Sequence, residues 1–337
     1  MSAQPNPVTT RVCRKCNREM PLTEDYFRRT AGLVEGWRGT CRKCNHDRQR
    51  ERAKLNRDIA DKVRAAPAAF RPRVVGQDGP DGGYTLYPDD GYRFMCVPDS
   101  HGRLIDWESA HALLAFVRWY KPVRIFLLGD HVDFDAFSRF DGPHERIAQL
   151  RDDLHEWRTF ATELRRSAPD ARMEYHKGNH EHRFQKWLWK HPEMGALAEW
   201  QGMDLPSVLG LGEHGMEWVE SGTTIVNERL MVKHGHMVRQ RSGYTATGEM
   251  ERNGITGISG HTHRLGQVYK RNRTGIMTWV ESGCICKYDP AYMEGQLSDW
   301  VQGLSFGTIS LVGNGFSVHT APIIKGKVLA GGASIGA

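Results

Sequence analysis

Five short blocks rich in carboxylate, amide and imidazole side chains constrain this 337-residue chain more than any other feature. Each block follows an apolar run of strand length, and the five are Asp99-Ser100-His101, Gly129-Asp130-His131-Val132-Asp133, Gly178-Asn179-His180-Glu181, His234-Gly235-His236 and Gly260-His261-Thr262-His263. Because an open α/β sheet leaves a crevice at the carboxyl ends of its strands, the blocks are expected to converge there. Asp, Asn and His donors on rigid strand ends suit divalent transition metals, so the pattern predicts a site for two such ions.

The spacing of apolar residues around these blocks predicts alternating strands and helices. Strands are expected over residues 92–97, 123–128, 172–176, 229–233 and 255–259, with a hairpin over 267–285 that turns at 272–275. Helices are expected over residues 106–120 and 145–167, where apolar side chains face one side. The predicted fold class is therefore α/β, or α+β with a mixed sheet, arranged in layers.

In this order, the five blocks resemble the calcineurin-like metallophosphoesterase superfamily. Its usual pattern is Asp-x-His, Gly-Asp-x-x-Asp, Gly-Asn-His-Glu/Asp, a His in a His-Gly context, and Gly-His-x-His. Any one block is a weak signal, but five in sequence order are specific. The resemblance covers residues 92–320, roughly two-thirds of the chain, and implies a four-layer α/β/β/α sandwich with a dinuclear metal centre.

The resemblance also implies a role for each residue. One metal would be held by Asp99, His101, Asp130 and His263, and the other by a bridging Asp130 with Asn179, His234 and His261. His180 would contact the phosphate and the leaving group as the catalytic residue. Substrate contacts or support of the ligands are expected from Asp133, His131, Glu181, His236 and Arg183. The donors do not distinguish manganese, iron, zinc and nickel, and manganese is the favoured choice.

One departure from the superfamily narrows the substrate. Protein serine/threonine phosphatases of this kind carry Arg-Gly directly after the second block, where this chain has Phe134 and Asp135. A phosphomonoesterase of that type is therefore disfavoured, although Arg139, Lys177, Arg183 or Arg264 could supply the missing charge. Phosphodiesters of nucleic acid or nucleotides are the preferred substrates. The alternatives are a phosphomonoesterase for nucleotides, nucleic-acid ends or phosphoprotein, and a non-catalytic nucleic-acid or protein-binding module on a retained scaffold.

Residues 184–218 are rich in Trp, Leu and Met, including Trp187, Trp189, Trp200 and Trp218. Packing of a helical insertion over the sheet is the favoured interpretation, and stacking of nucleic-acid bases is the alternative.

Four of the seven cysteines form two Cys-x-x-Cys pairs near the N-terminus. The pairs Cys13/Cys16 and Cys41/Cys44, with 24 residues between them, predict one closed tetrahedral zinc site of structural type. Iron–sulfur ligation and free thiols are the alternatives. The segment resembles small zinc-binding modules beside phage and bacterial HNH-type endonucleases. No His-Asn-His set follows it, so nuclease activity of that kind is not implied.

Most of the excess charge of the chain lies in this segment. Residues 11–58 contain 14 Lys/Arg against 7 Asp/Glu, whereas the whole chain has a net charge of +6. A basic surface on a rigid zinc scaffold suits the phosphate backbone of nucleic acid. The expected contacts are Arg14, Lys15, Arg42, Lys43, Arg48 and Arg50. A solvated basic surface and a protein-docking module remain alternatives.

These features predict four regions in the chain. They are a zinc-binding module at 11–50, a charged helix and Pro/Gly-rich linker at 51–90, a metallophosphoesterase domain at 91–325 and a flexible tail at 326–337. The sequence has no run of apolar residues long enough to cross a membrane, and its first ten residues do not resemble a secretory signal. The expected location is the cytoplasm of a bacterial or phage-infected cell.

Overall fold

The computed structural model describes residues 9–29, 37, 39–47, 50, 54, 91–138, 146–273, 275–288, 297–310 and 315–336. The chain divides into two compact units, Met1–Pro67 and Ala68–Ala337. The expected linker and most of the expected charged helix lie outside the described residues. None of the described helices is long and apolar enough to span a membrane.

The first unit contains a two-stranded sheet of β1 (Thr10–Val12) and β2 (Glu19–Pro21), and residues 42–47 are helical. The strands pair antiparallel, with Thr10 opposite Pro21. Its small core consists of Phe27 together with Cys13 and Cys41, all of them buried. A core this small cannot stabilise a fold alone, so a bound metal is expected to contribute.

The second unit contains a mixed sheet of eight strands in the order β15-β14-β13-β12-β3-β4-β5-β6. Its parallel strands are β3 (Gly91–Val97), β4 (Arg124–Leu127), β5 (Arg172–His176) and β6 (Met216–Val219). Its antiparallel strands are β12 (Gly303–Ser310), β13 (Phe316–Ile324), β14 (Lys327–Ala330) and β15 (Ala333–Gly336).

A second sheet of five strands has the order β10-β11-β9-β8-β7. The strands are β7 (Thr223–Val226), β8 (Leu230–Lys233), β9 (Thr256–Ser259), β10 (Leu265–Asn272) and β11 (Gly275–Ser282). Strands β8, β9 and β11 run parallel, and β10 forms with β11 the hairpin expected at 272–275.

Helices lie against the outer face of each sheet. The helices are α1 (Trp107–Tyr120), α2 (Arg146–Ser167), α3 (Glu181–Lys190), α4 (Pro192–Trp200), α5 (Leu205–Val208) and α6 (Tyr244–Asn253). Phe116 of α1 and Trp157 of α2 share one buried cluster with Met95 of β3. Met250 of α6 packs with Trp279 of β11 in a separate cluster.

The two sheets face each other across the interior. The hydroxyl groups of Ser282 in β11 and Ser305 in β12 are 2.7 Å apart, and Thr224 in β7 donates to Glu174 in β5 at 3.0 Å. Phe94 and Cys96 of β3 are buried although they alternate with the residues that face α1, so both faces of this strand are covered. The predicted α/β/β/α sandwich is confirmed.

The C-terminal segment differs from the expectation. Residues 326–337 were expected to be flexible, but β14 and β15 extend the eight-stranded sheet through residue 336. Val328 and Ala330 are buried and alternate with exposed Lys327 and Leu329, which is the pattern of a half-buried strand. The glycines at 331 and 332 turn the chain with positive φ angles instead of loosening it.

Candidate metal centre

The register of the strands brings the five blocks to one edge of each sheet. Val97 lies opposite Leu127, and Leu127 lies opposite Tyr175, so β3, β4 and β5 end side by side. In the other sheet Lys233 lies opposite Ser259, so β8 and β9 also end together. The blocks therefore meet where the carboxyl ends of both sheets converge.

The first group of candidate ligands contains Asp99, His101 and His263, all buried. The Nε2 atom of His263 lies 3.2 Å from Asp99 Oδ2 and 3.0 Å from His101 Nε2. Two imidazole nitrogens and a carboxylate oxygen thus point at one small volume, as the ligands of a divalent transition metal do.

The second group contains Asp130, His234 and His261. The Nε2 atom of His234 lies 3.2 Å from Asp130 Oδ2 and 2.9 Å from the side-chain oxygen of Asn179. Asn179 therefore joins this group, as the resemblance implies.

Asp130 connects the two groups. Its carboxylate, the ring of His101 and the ring of His180 form a third set whose ligand atoms all lie within 4.8 Å of one another. A carboxylate with two oxygens can hold two cations at once. The donor set fits the two divalent ions that the resemblance implies, and Asp130 fits the bridging position.

Electrostatics within the centre also favour bound cations. Burial raises the pKa of Asp99, but the hydrogen bond from His263 and the charge of His234 outweigh it and lower the pKa to about 2. Burial lowers the pKa of His234, yet the Asp130 carboxylate raises it to about 9. Burial dominates at His261, where the pKa falls to about 4. The lowered pKa keeps the Asp99 carboxylate ionised, which is the form that binds a divalent cation.

Four candidate ligands have a left-handed backbone conformation, which residues other than glycine rarely adopt. Their φ angles are 55° at His101, 51° at Asp130, 71° at His261 and 56° at His263. Each such residue costs about 1–3 kcal/mol and persists only where neighbouring structure fixes it. Here the backbone N–H groups of Ser100 and His101 donate to the Asp130 carbonyl oxygen. Strain of this kind concentrates at functional sites.

Glu181 fixes the loops that carry Asp130 and His180. Its fully buried carboxylate accepts from the backbone N–H groups of Gly178, Asp130 and His131, each at 2.9 Å, and from the Tyr175 hydroxyl at 2.7 Å. Burial and the charge of Asp130 raise the pKa of Glu181. The side chain holds ligand-bearing loops together and does not face the crevice.

Glycine at position 178 is required by the close approach of the same loops. A Cβ atom there would overlap the Asp130 carboxylate. Gly260 is in the same situation against Asp99. The glycines of the motif therefore make space for ligands in addition to turning the chain.

His180 lies at the amino end of α3, beside both groups of ligands. Its Nδ1 atom is 2.7 Å from Asp133 Oδ1, and its Nε2 atom is 3.8 Å from Asp130 Oδ2. Burial lowers the pKa of His180, but the charge of Asp130 and the hydrogen bond with Asp133 raise it above its usual value. The Nη2 atom of Arg183 lies 3.1 Å from the same Nε2 atom.

Two other residues expected to support the ligands or contact substrate, His131 and His236, differ in exposure. His131 is fully buried and stacks on Trp157, with its Nδ1 atom 3.0 Å from the Ser100 hydroxyl, so it supports the fold and cannot touch substrate. His236 is exposed and lines a cavity next to His234.

Two further polar residues of the centre were not anticipated. Buried Glu281 accepts from the Thr262 hydroxyl at 2.8 Å and from the backbone of Gly243 at 2.7 Å, which ties the fifth block to α6. Arg103 lies 3.5 Å from Asp133 and donates to Asp153 at 3.0 Å. A lone acidic residue in the apolar strand β11 was the available signal for Glu281.

Of the two residues that replace Arg-Gly after the second block, Phe134 has a structural role, and half-buried Asp135 lies 3.8 Å from Arg183. Phe134 is buried and stacks on Phe184 at 5.7 Å between ring centroids. Among the basic residues expected to compensate, Arg183 reaches His180, Lys177 lines the cavity and Arg264 pairs with Asp299 at 2.6 Å. Arg139 lies outside the described residues.

The tryptophans of residues 184–218 follow the packing prediction only in part. Trp187 packs on Phe137, and Trp218 stacks on Tyr175 in β5. Trp189 and Trp200 are 64% and 79% exposed, so packing of the insertion does not explain them.

In the first unit the four expected cysteines come together. The sulfur atoms of Cys13, Cys16, Cys41 and Cys44 lie within 4.8 Å of one another, which fits a tetrahedral zinc site. Burial raises the pKa of Cys13, but backbone N–H groups that donate to its sulfur, including that of Cys41 at 3.3 Å, lower it to about 6. A thiolate is the form that binds metal.

The basic residues around this cluster are accessible. Arg14, Lys15, Arg42, Lys43 and Arg50 are exposed, whereas Arg48 lies outside the described residues. Their contact with nucleic acid stays a prediction.

No protein-family model matches the chain. The chain is similar to the Gene 54 protein of Mycobacterium phage D29, with 27% identity over 254 residues that cover 70% of this chain and 95% of the phage protein. The Gene 54 protein of Mycobacterium phage L5 is 25% identical over 249 residues, with the same coverage of 70% and 95%. These names state no activity.

Solved structures provide distant likenesses. Vps29 of Chaetomium thermophilum has 11% identity and a TM-score of 0.32, over 69% of this chain and 86% of that chain. TT1561 of Thermus thermophilus has 10% identity and a TM-score of 0.32, over 68% and 98%. Vps29 complexed with Zn²⁺ from Entamoeba histolytica has 12% identity and a TM-score of 0.29, over 68% and 98%. At these TM-scores no functional conclusion follows. The resemblance of the cysteine module to the modules beside HNH-type endonucleases stays a prediction.

Proposed function

We propose that the chain is a metal-dependent phosphoesterase that hydrolyses phosphodiesters of nucleic acid or nucleotides. The observation that carries the proposal is the position of Asp130, which belongs to ligand groups on both sides of the crevice and lies 3.8 Å from His180. Asp99, His101, Asp130 and His263 would hold one divalent ion, and Asp130, Asn179, His234 and His261 the other. Bound divalent ions would supply activation of water and neutralisation of phosphate charge.

We propose a separate role for His180. Because Asp133 engages Nδ1, the Nε2 atom is the one that would meet a phosphate oxygen or protonate the leaving oxygen, once its contact with Arg183 Nη2 at 3.1 Å is released. Arg183 lies beside that Nε2 atom and offers the cationic group that is missing at Phe134 and Asp135. The exposed basic residues of the first unit suit a polyanion, which favours nucleic-acid diesters over monoesters.

The first unit is proposed to bind nucleic acid and to carry one structural zinc ion. Support comes from the four clustered sulfur atoms and from exposed cationic residues on the same small scaffold.

The experiment that tests the activity compares bis-p-nitrophenyl phosphate with p-nitrophenyl phosphate, with added manganese and with EDTA. We expect metal-dependent turnover with a higher kcat/KM for the diester. The His180→Ala variant should lose this turnover, and the His111→Ala variant, altered at an exposed position of α1, should retain it. A strong monoester preference would instead identify a phosphomonoesterase. No turnover of either ester by metal-loaded protein would favour the non-catalytic binding module.

A further inference from the structure

A cavity of about 370 Å³ opens beside the candidate ligand His234. Its walls come from the turn before α3, from the β6–β7 turn and from the fourth block, and they include Lys177, His182, Glu220 and His236. This volume lies at the lower end of the range for small-ligand sites, about 300–1,000 Å³. The cavity can therefore hold about one nucleotide and is too small for a duplex.

Lys177 brings to this cavity an ammonium group that forms no ion pair among the described residues, and Glu220 brings one carboxylate. Lys233 also lines it, but its ammonium group is paired with Glu249 at 2.6 Å. The Nζ atom of Lys177 donates to the neutral side chain of Gln185 at 2.8 Å and so keeps its net charge. The one acidic wall residue, Glu220, accepts from the Trp218 indole at 2.8 Å. A phosphate oxygen is the natural partner of Lys177 here.

Gln185 links the cavity to the exposed face of α3. Its side-chain oxygen accepts from Lys177 and lies 3.1 Å from His182 Nδ1, so both cavity residues are held in place by one amide. The ring of His182 in turn contacts the ring of Trp189 edge to face, at 5.4 Å between centroids. Residues 182 and 189 are seven positions apart and share one face of the helix.

Trp189 ends this chain of contacts with an exposed aromatic surface. The side chain is 64% exposed, and exposed Lys186 lies on the same helix between it and the cavity. A lysine ammonium group followed by an open aromatic ring is an arrangement on which single-stranded nucleic acid can bind, with phosphate on the cation and a base on the ring.

We infer that this cavity and the α3 face bind the nucleotide next to the scissile phosphate of a single-stranded polynucleotide. The neighbouring phosphate lies on Lys177, and the attached base stacks on Trp189. The inference rests on the proposed phosphodiesterase function and names its substrate class.

The test uses the full chain and two substrates. Hydrolysis of a fluorescent single-stranded 12-mer is compared with hydrolysis of bis-p-nitrophenyl phosphate, which has neither a second phosphate nor a base. Lys177→Gln and Trp189→Ala should each lower the ratio of the two kcat/KM values about tenfold, since stacking of one base is worth about 5- to 150-fold. The controls Lys327→Gln and Trp119→Ala, altered at exposed positions of β14 and α1, should keep the wild-type ratio.

A second measurement separates this inference from the proposed activity. Fluorescence anisotropy of a labelled hexanucleotide, without added divalent ions, should show weaker binding by Lys177→Gln and Trp189→Ala than by the two controls. Unchanged ratios and unchanged binding would overturn the inference while leaving the phosphodiesterase intact. If Lys177→Gln and Trp189→Ala lower kcat/KM equally for a blunt duplex, or for the p-nitrophenyl ester of thymidine monophosphate, the single-stranded polynucleotide is not the substrate. Failure of the wild type to hydrolyse either diester would overturn the proposed function, and anisotropy would still decide the subsite.

Discussion

The Nδ1 atom of His180 lies 2.7 Å from Asp133 Oδ1, and the same oxygen lies 3.2 Å from Nδ1 of His101. One buried carboxylate therefore orients both a candidate metal ligand and the candidate acid. Burial raises the pKa of Asp133, but the hydrogen bonds with His101 and His180 lower it well below its usual value, and Arg103 and Arg183 lie within 4 Å of the same carboxylate. Both rings point their Nε2 atoms away from Asp133, which couples metal binding to the position of the acid.

Replacing Asp133 with Asn should therefore lower kcat about 10- to 100-fold, the usual effect of losing a group that orients a metal-binding His. The carboxylate raises the pKa of His180, so its loss lowers that pKa. If protonated His180 is the active form, the alkaline limb of the kcat profile should move to lower pH. The measurement compares the pH profiles of kcat for the variant and the wild type. Asp170→Asn, altered at an exposed position, is the control. If the alkaline limb does not move, Asp133 has no part in the proton transfer by His180.

Asp130 and His180 should differ in what their loss does to metal content. Asp130→Asn removes a carboxylate charge shared by both ligand groups, so both exchangeable metals should bind more weakly. His180→Ala should keep its metals while turnover falls by about two to four powers of ten, the range for a positioned acid or base. Inductively coupled plasma mass spectrometry beside turnover assays tests this contrast. Near-normal turnover of His180→Ala would mean that another group contacts the substrate.

Glu181→Gln should destabilise the protein although no charge on its surface changes. The carboxylate accepts from N–H groups of two loops, and an amide must turn its own NH₂ group toward at least one of those donors. We expect a loss of about 2–4 kcal/mol in the free energy of unfolding. The ion pair between Arg172 and exposed Glu217 offers a control, since Glu217→Gln should lower the free energy of unfolding by less than about 1 kcal/mol. Urea denaturation measures both, and equal losses would contradict this role.

The local sequence was sufficient to predict the strand ends and the residues that follow them. Apolar runs bounded by glycine and acidic residues placed β3, β4, β5, β8 and β9 to within one or two positions. The parallel register then brings their carboxyl ends together, because neighbouring strands of such a sheet begin and end on the same sides.

Contacts between distant parts of the chain could not be predicted in this way. Glu281 meets Thr262 across 19 positions, and Arg103 meets Asp153 across 50. The left-handed angle at Asp130 also has no local signal, because it is imposed by hydrogen bonds from Ser100 and His101. Strands β14 and β15 were missed because glycines at 326, 331 and 332 flank and separate them, a composition that is also typical of a flexible tail.

His176 should make stability depend on pH. Burial lowers the pKa of this histidine to about 4, and the charge of Glu174 only partly opposes burial. The folded state therefore keeps His176 neutral, while the unfolded state takes up a proton below pH about 6.5. The contribution of this group is complete above that pH and is lost as pH falls toward 4, by up to about 3 kcal/mol. Urea denaturation at pH 7, 5.5 and 4.5 should show a flatter dependence for His176→Gln, and identical slopes would contradict the assignment.

The salt dependence of binding tests whether the first unit recruits nucleic acid. Each Lys or Arg that neutralises a phosphate contributes about 0.7 to the slope of log K against log salt for single strands. Replacing Arg14, Lys15, Arg42 and Lys43 with Ser in the full chain should therefore flatten that slope by up to about 3 and weaken binding at low salt. The control replaces four exposed residues of the second unit with Ser, namely Arg229, Arg271, Lys325 and Lys327.

Fluorescence anisotropy of a labelled oligonucleotide at several salt concentrations gives both slopes, and turnover of bis-p-nitrophenyl phosphate gives the comparison. Every proposed metal ligand lies between Asp99 and His263, so turnover of this small diester should follow the second unit alone. Equal slopes for the two quadruple variants would mean that the basic surface of the first unit serves another partner. A collapse of small-diester turnover in the Arg14, Lys15, Arg42 and Lys43 variant would mean that the cysteine module takes part in catalysis and does not merely deliver substrate.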